Sequence, residues 1–295
     1  MQTTSNICTS ADNAYPEQNR PATHHTPEEI LSHPRFAAAR TAYIDGLFSL
    51  YENNQFMNRL LIEATRSIVF FTTLVIYAGY DPIDRSTWPT IGLLKQTIKP
   101  YGLSTERRVD GLVAQFVDAG YLTLSTMAAD RRVRILTPTK KMIGHDLEWL
   151  ATHYRPLRIL FPDTGYDPPM RHDPMFQKAL RKISREFAAY AAQLMAANPS
   201  VMFFMERDAG TMILLKLLHR NKAEGAAQVS FADMADRFGV SRTHVRKTIK
   251  EAEKRSLLEC TEKAITLAPS LVAAYDRFVA DTMSGHDLMF KMATG

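Results

Sequence analysis

The chain carries the same run of elements twice, and a sequence that repeats itself folds as two like units or as an array of them. His33-Pro34-Arg35-Phe36 opens a helical pattern reaching about Glu52, and Asp173-Pro174-Met175-Phe176 opens another reaching about Met195. A polar residue followed by proline at the first turn is a helix-start signal in both. A second, strongly apolar helix follows each time, Phe56 to Ala78 and Val201 to His219, and then a short polar connection, Gly79 to Pro89 and Arg220 to Val229. The closest segments come next, GLSTERRVDGLVAQFVDAGYL and GVSRTHVRKTIKEAEKRSLL. The offset is 140 residues at the opening tetrapeptides, 137 between Ser104 and Ser241, and 131 between Leu136-Thr137-Pro138 and Leu267-Ala268-Pro269. A steadily shrinking offset is what loop deletions in the second copy produce. The expected organisation is a disordered polar leader over 1–30, a first unit over 31–154, a linker over 155–172 and a second unit over 173–295. The linker holds Pro156, Pro162, Pro168, Pro169 and Gly165, a composition that breaks a continuous helix.

Within the second unit, Ser230 to Phe238 places Phe231, Met234, Ala235 and Phe238 at helical spacing. Gly239 permits a tight turn, Val240 plugs the core below it, and Ser241 is placed to cap the next helix. That helix has an apolar stripe of Val245, Ile249 and Ala252, with Arg242, Thr243, His244, Arg246, Lys247 and Lys250 on its other face. A short helix, a glycine turn and a second helix with a basic, hydrogen-bonding start form a helix-turn-helix whose second helix suits the major groove of DNA. A solvated charged face is the bland alternative for such a run. The first unit follows the same plan: a helix over Thr90 to Lys99, a stop at Pro100 and Gly102, Leu103 as the plug, Ser104 as the cap, and Thr105, Glu106, Arg107 and Arg108 exposed. Val109 lies five residues beyond Ser104 whereas Val245 lies four beyond Ser241, so the two helices need not present side chains in the same register. The formal charge of +5 suits a polyanionic partner.

After the first reading helix, Tyr121 to Leu124 and Arg131 to Thr137 read as two strands of a hairpin with Asp130, Arg131 and Arg132 at its tip. A hairpin in that place is a wing, and a wing arginine fits a narrow minor groove. These residues together, Leu103-Ser104, Ala119-Gly120-Tyr121-Leu122, Asp130-Arg131-Arg132 and Leu136-Thr137-Pro138, resemble the multiple-antibiotic-resistance regulator (MarR) family over about residues 35–150. The resemblance implies a mainly α fold with small β-hairpin wings, long terminal helices that dimerise, and regulation of transcription, commonly repression relieved by small aromatic ligands. It carries base reading onto the exposed start of the helix after Ser104, and minor-groove contact onto Arg131 or Arg132. In the second unit the strands around Leu258 to Thr261 and Ala264 to Leu267 are joined through Glu262-Lys263, so its wing is stunted. The family works as a two-fold dimer. Here two unequal copies are expected to pack through their outer helices as a single-chain pseudo-dimer, with a further homodimer also open.

No phosphate loop, nucleophile elbow or closely spaced metal-ligand pattern stands in the sequence, so neither an enzyme, a cofactor nor a metal is expected. The aromatic residues Tyr43, Phe48, Tyr51, Phe70, Phe71, Tyr77 and Tyr80 are candidates to line a pocket for a small aromatic effector. Two cysteines and no secretory signal point to a cytoplasmic setting, and the strongest apolar stretch, Ser67 to Tyr80, is short for a membrane span. Two other readings remain open: a plasmid-type replication initiator with two winged-helix domains, and a winged-helix module that binds protein partners.

Overall fold

The computed structural model describes residues 24–52, 54–126, 132–220, 230–261 and 264–295. The fold is mainly helical with two small antiparallel hairpins. In the first half, α1 (Pro27–Ser32), α2 (Phe36–Tyr51), α3 (Gln55–Leu61), α4 (Ala64–Ala78), α5 (Ile91–Ile98) and α6 (Glu106–Asp118) lead into β1 (Leu122–Thr126), β2 (Arg134–Pro138) and α7 (Lys140–Leu160). A short α8 (Asp167–Met170) precedes α9 (Pro174–Ser184), α10 (Ala188–Ala197), α11 (Pro199–Met205), α12 (Gly210–Arg220), α13 (Phe231–Phe238), α14 (Arg242–Lys254), β3 (Leu258–Cys260), β4 (Ile265–Leu267) and α15 (Pro269–Thr294).

The apolar segment expected as one helix from Phe56 to Ala78 is two, bent by 80° between α3 and α4. The bend has a local cause. Glu63 leaves the helix with φ −89° and ψ 139°, and its carboxylate accepts from the backbone N–H groups of Thr65 and Arg66, which starts α4 afresh. The second half breaks at the corresponding place, between α11 and α12, where Ala209 adopts φ 53°. Gly210 is required there, because a Cβ would lie 2.0 Å from the Phe204 carbonyl oxygen. Among the described residues no single helix is long and apolar enough to cross a membrane.

Other boundaries differ from the sequence reading, and the helix expected from Pro174 to about Met195 is interrupted by a 3-10 turn over Arg185–Phe187. The polar leader ends earlier than residue 30: a Thr26/Glu29 capping box starts α1, and Ile30 is fully buried in the core. Residues 1–23 lie outside the described residues. The linker begins at Phe161 rather than Arg155, because α7 continues through Pro156. An interior proline costs on the order of 3 kcal/mol, and burial of Pro156, Leu157 and Leu160 offsets it. Lastly, Pro34 lies in a turn before α2, whereas Pro174 does occupy the first turn of α9, with Asp173 accepting from Met175 and Phe176 N–H.

One continuous core joins the two halves. Helix α2 packs on α7, α9 packs on α15, and cross-contacts of α4 with α9, α7 with α15 and α1 with α15 close the centre. Arginine–aspartate pairs cross between the halves, two of them between the opening helix of one half and the closing helix of the other. Arg181 of α9 donates through Nε to Asp146 of α7 at 3.0 Å, a second donation from its Nη2 completes a bidentate pair, and Gln177 Nε2 adds a bond at 2.6 Å. Arg40 of α2 faces Asp276 of α15, with Nε 2.8 Å from Oδ1 and Nη1 donating to Oδ2 at 3.4 Å.

Candidate nucleic-acid interface

Each half builds the same turn from different residues. In the second, Ser230 caps α13 by accepting from Asp233 N–H, and Gly239 ends it at φ 71°. A side chain at 239 would also meet Gln55, whose Cβ would be 2.8 Å away. Ser241 Oγ then accepts from His244 N–H at 3.0 Å, so this serine caps α14 as expected. Val245, Thr248, Ile249 and Ala252 are buried, and Arg242, Thr243, Arg246, Lys247 and Lys250 are exposed.

In the first half, Thr90 caps α5, a 3-10 turn over Lys99–Tyr101 follows, and Gly102 takes φ 65°. The cap of α6 is Thr105, not Ser104: Thr105 Oγ1 accepts from Arg108 N–H, while Ser104 Oγ donates to the Thr105 carbonyl. With this cap the two helices share one register. Val109 stands four residues beyond Thr105 as Val245 stands four beyond Ser241, both helices are 13 residues long, and α6 buries Val109, Leu112, Val113 and Phe116 at the matching positions. Glu106 therefore corresponds to Arg242, Asp110 to Arg246, Gly111 to Lys247 and Ala114 to Lys250.

Two of the expected reading residues are held inside the protein's own framework. Arg108 Nη2 donates to Glu63 Oε2 at 2.7 Å, and His244 Nε2 donates to the Asp208 carbonyl at 2.8 Å. Both stand three residues beyond their caps, and both reach the break between the two helices that precede their turn. Arg66 at one break pairs with Asp208 at the other at 2.7 Å. A polar chain thus runs from α6 through both breaks to α14. Lys95 meets Asp110 at 2.8 Å and Glu106 at 3.6 Å, and its amine is raised above its usual range mainly by the hydrogen bond to Asp110. Glu251, on the flank of α14, is bound by Arg207 at 3.1 Å, which holds its carboxyl below the usual range. Glu63, Lys95, Asp208 and Arg207 were not singled out from the sequence. Glu63 was legible only as a polar residue inside an apolar run; the others bear no local signal.

The first hairpin pairs five residues on each strand, Leu122 opposite Pro138 through Thr126 opposite Arg134. Arg132 and Arg134 are exposed near its outer end, while Asp130 and Arg131 lie outside the described residues. The second hairpin pairs only three, Leu258 opposite Leu267 through Cys260 opposite Ile265, one fewer per strand than expected.

The aromatic residues proposed for an effector pocket are mostly core. Tyr43, Tyr51 and Phe70 are buried, Phe70 meets Phe71, Phe116 and Tyr121 edge-on, and the Tyr43 hydroxyl is 3.0 Å from His153 Nε2. A cavity of about 620 Å³ lies elsewhere, at the turn between α5 and α6, where Lys95, Lys99, Tyr101 and Ser104 help line it. None of the seven aromatics borders it. Among the described residues no three His, Cys, Asp or Glu side chains come together to hold a metal. No family model, curated protein or solved structure matches the chain.

Proposed function

We propose that the chain is a sequence-specific, duplex-DNA-binding regulator of transcription, most simply a repressor, in which two MarR-like winged helix-turn-helix units fused in tandem act as a single-chain pseudo-dimer. The observation that carries this reading is α14. It is a capped helix after a left-handed glycine turn, with one buried stripe and an outward row of Arg242, Arg246, Lys247 and Lys250 that no carboxylate on the same face balances except Glu251, itself bound by Arg207. Cations on the exposed start of such a helix can meet base edges and phosphates together.

Internal duplication is supported by three correspondences. The reading helices share length, cap position and burial register. The helices before them break at like places. The Arg40–Asp276 and Arg181–Asp146 pairs each join the opening helix of one half to the closing helix of the other, as contacts across a two-fold axis do.

Selecting bound duplexes from a random pool, followed by titration of the selected site at rising salt, tests the proposal. The expected result is a defined site whose log affinity falls steeply and linearly with log salt. No selected sequence, or affinity indifferent to salt, overturns it and favours the protein-interaction module. Enrichment of tandem repeats in register favours the replication initiator instead.

A further inference from the structure

The matched registers of α6 and α14 allow the two reading heads to be compared position by position, and they are not equivalent. Where α14 exposes Arg242, Arg246, Lys247 and Lys250, α6 presents Glu106, Asp110, Gly111 and Ala114. Over its length α14 carries five cations and two carboxylates, and α6 carries two arginines and three carboxylates. One of those arginines, Arg108, is bound to Glu63, which leaves Arg107 as the cation at the outer start of α6. The hairpins are unequal in the opposite sense. The first is five residues long on each strand and exposes Arg132 and Arg134, whereas the second is three residues long and has Glu259 in β3. Among the described residues the exposed cations of the two halves therefore sit mainly on different elements, on the helix in one and on the hairpin in the other.

We infer, building on the DNA-binding reading above, that the halves engage one duplex by different means: the second grips through α14, the first through the β1–β2 hairpin, and α6 adds little phosphate contact. The consequence for the partner is a duplex site with two unlike ends, on which the chain lies in one orientation. Phosphate neutralisation sets the salt dependence, at a slope of about 0.9 per phosphate, so the division of contacts can be counted.

The test compares three variants with the unaltered chain on its selected duplex. Replacing Arg242, Arg246, Lys247 and Lys250 by alanine is expected to reduce the slope of log affinity against log salt by about three to four. The Arg132→Ala, Arg134→Ala variant reduces it by about two, and Arg107→Ala by no more than about one. All the altered side chains are exposed, and a thermal midpoint equal to that of the unaltered chain confirms that each variant is folded. Orientation is read by a strand-cleaving iron chelate on Lys254→Cys, in a chain with Cys8 and Cys260 replaced by serine. Cleavage is expected at one end of the site only. Equal cutting at both ends, or an Arg107→Ala slope loss matching that of the fourfold variant, overturns the division of labour while leaving DNA binding intact. Failure of the unaltered chain to bind any duplex overturns the DNA reading itself, and this inference with it.

Discussion

At the scale of the residue, the caps are the sharpest point of comparison. Ser104 and Thr105 are neighbours with like hydroxyls, and only the observed hydrogen bonds distinguish them. Thr105→Ala should cost about 1 kcal/mol of stability and Ser104→Ala only a few tenths, measured by urea denaturation of the two variants. Arg246→Ala should weaken DNA binding about 5- to 150-fold if the guanidinium contacts a base, for a loss of about 1–3 kcal/mol, read by duplex titration at fixed salt. The buried pair Asp146–Arg181 makes a different prediction. Asp146 is fully buried, so Asp146→Ala leaves the Arg181 cation buried between Phe71 and Trp149 without its carboxylate, and a loss of about 3–5 kcal/mol is expected. Asp276→Ala should cost less, because the Arg40–Asp276 pair is partly exposed and less well aligned. Two buried histidines and a partly buried one set a pH dependence. Burial lowers His145 and His286 to about 4 and holds His153 well below its ordinary value, with the neighbouring His286 adding to the effect. Each is neutral in the folded protein and takes up a proton on unfolding once the pH is below about 6.5. The unfolded chain then binds more protons, so stability falls as pH drops from about 6.5 toward 4, by up to about 1.4 kcal/mol per pH unit for each histidine. His286→Gln should flatten that dependence in denaturant titrations across this range; an unchanged slope would show that His286 does not report on folding.

At the scale of the element, the helices of the turns were legible because their signals are local. A serine or threonine before a basic start, a glycine at a left-handed position, and apolar residues four, eight and eleven places beyond the cap are all local signals. The hairpins were legible for the same reason. The breaks were not. Nothing in the string Phe56 to Ala78 marks a bend of 80° except Glu63, whose carboxylate also accepts from Arg108, 45 residues away in sequence. Pro156 misled in the other direction: a proline weakens a helix locally, but α7 is held by the packing of its neighbours on the core. The aromatic residues misled likewise, because helical spacing of rings fits a packed interior as well as a binding pocket, and burial decides which.

At the scale of the whole molecule, the collinear repeat indicated the order of the elements, yet it did not indicate how the halves meet. That arrangement rests on contacts between distant segments, α4 on α9 and α7 on α15, and on the crossed arginine–aspartate pairs. If one chain supplies both reading heads, one chain should occupy one site. Analytical ultracentrifugation of the chain with its selected duplex should give a one-to-one complex, and a two-to-one complex would replace the pseudo-dimer with a dimer of chains. A single carboxylate also gathers three remote parts of the polypeptide. Asp287, fully buried on α15, accepts from the His25 backbone N–H at 2.7 Å and from the Tyr166 hydroxyl at 2.6 Å, and pairs with Lys291 at 3.2 Å. His25 therefore lies beside a residue only eight positions before Gly295, about 12 Å along a helix. A short bridge of glycine and serine could join residue 24 to residue 295, and new ends could be opened in the exposed turn at Asp163. Such a rearranged polypeptide would be synthesised with its halves in reverse order and should still close into the same shape.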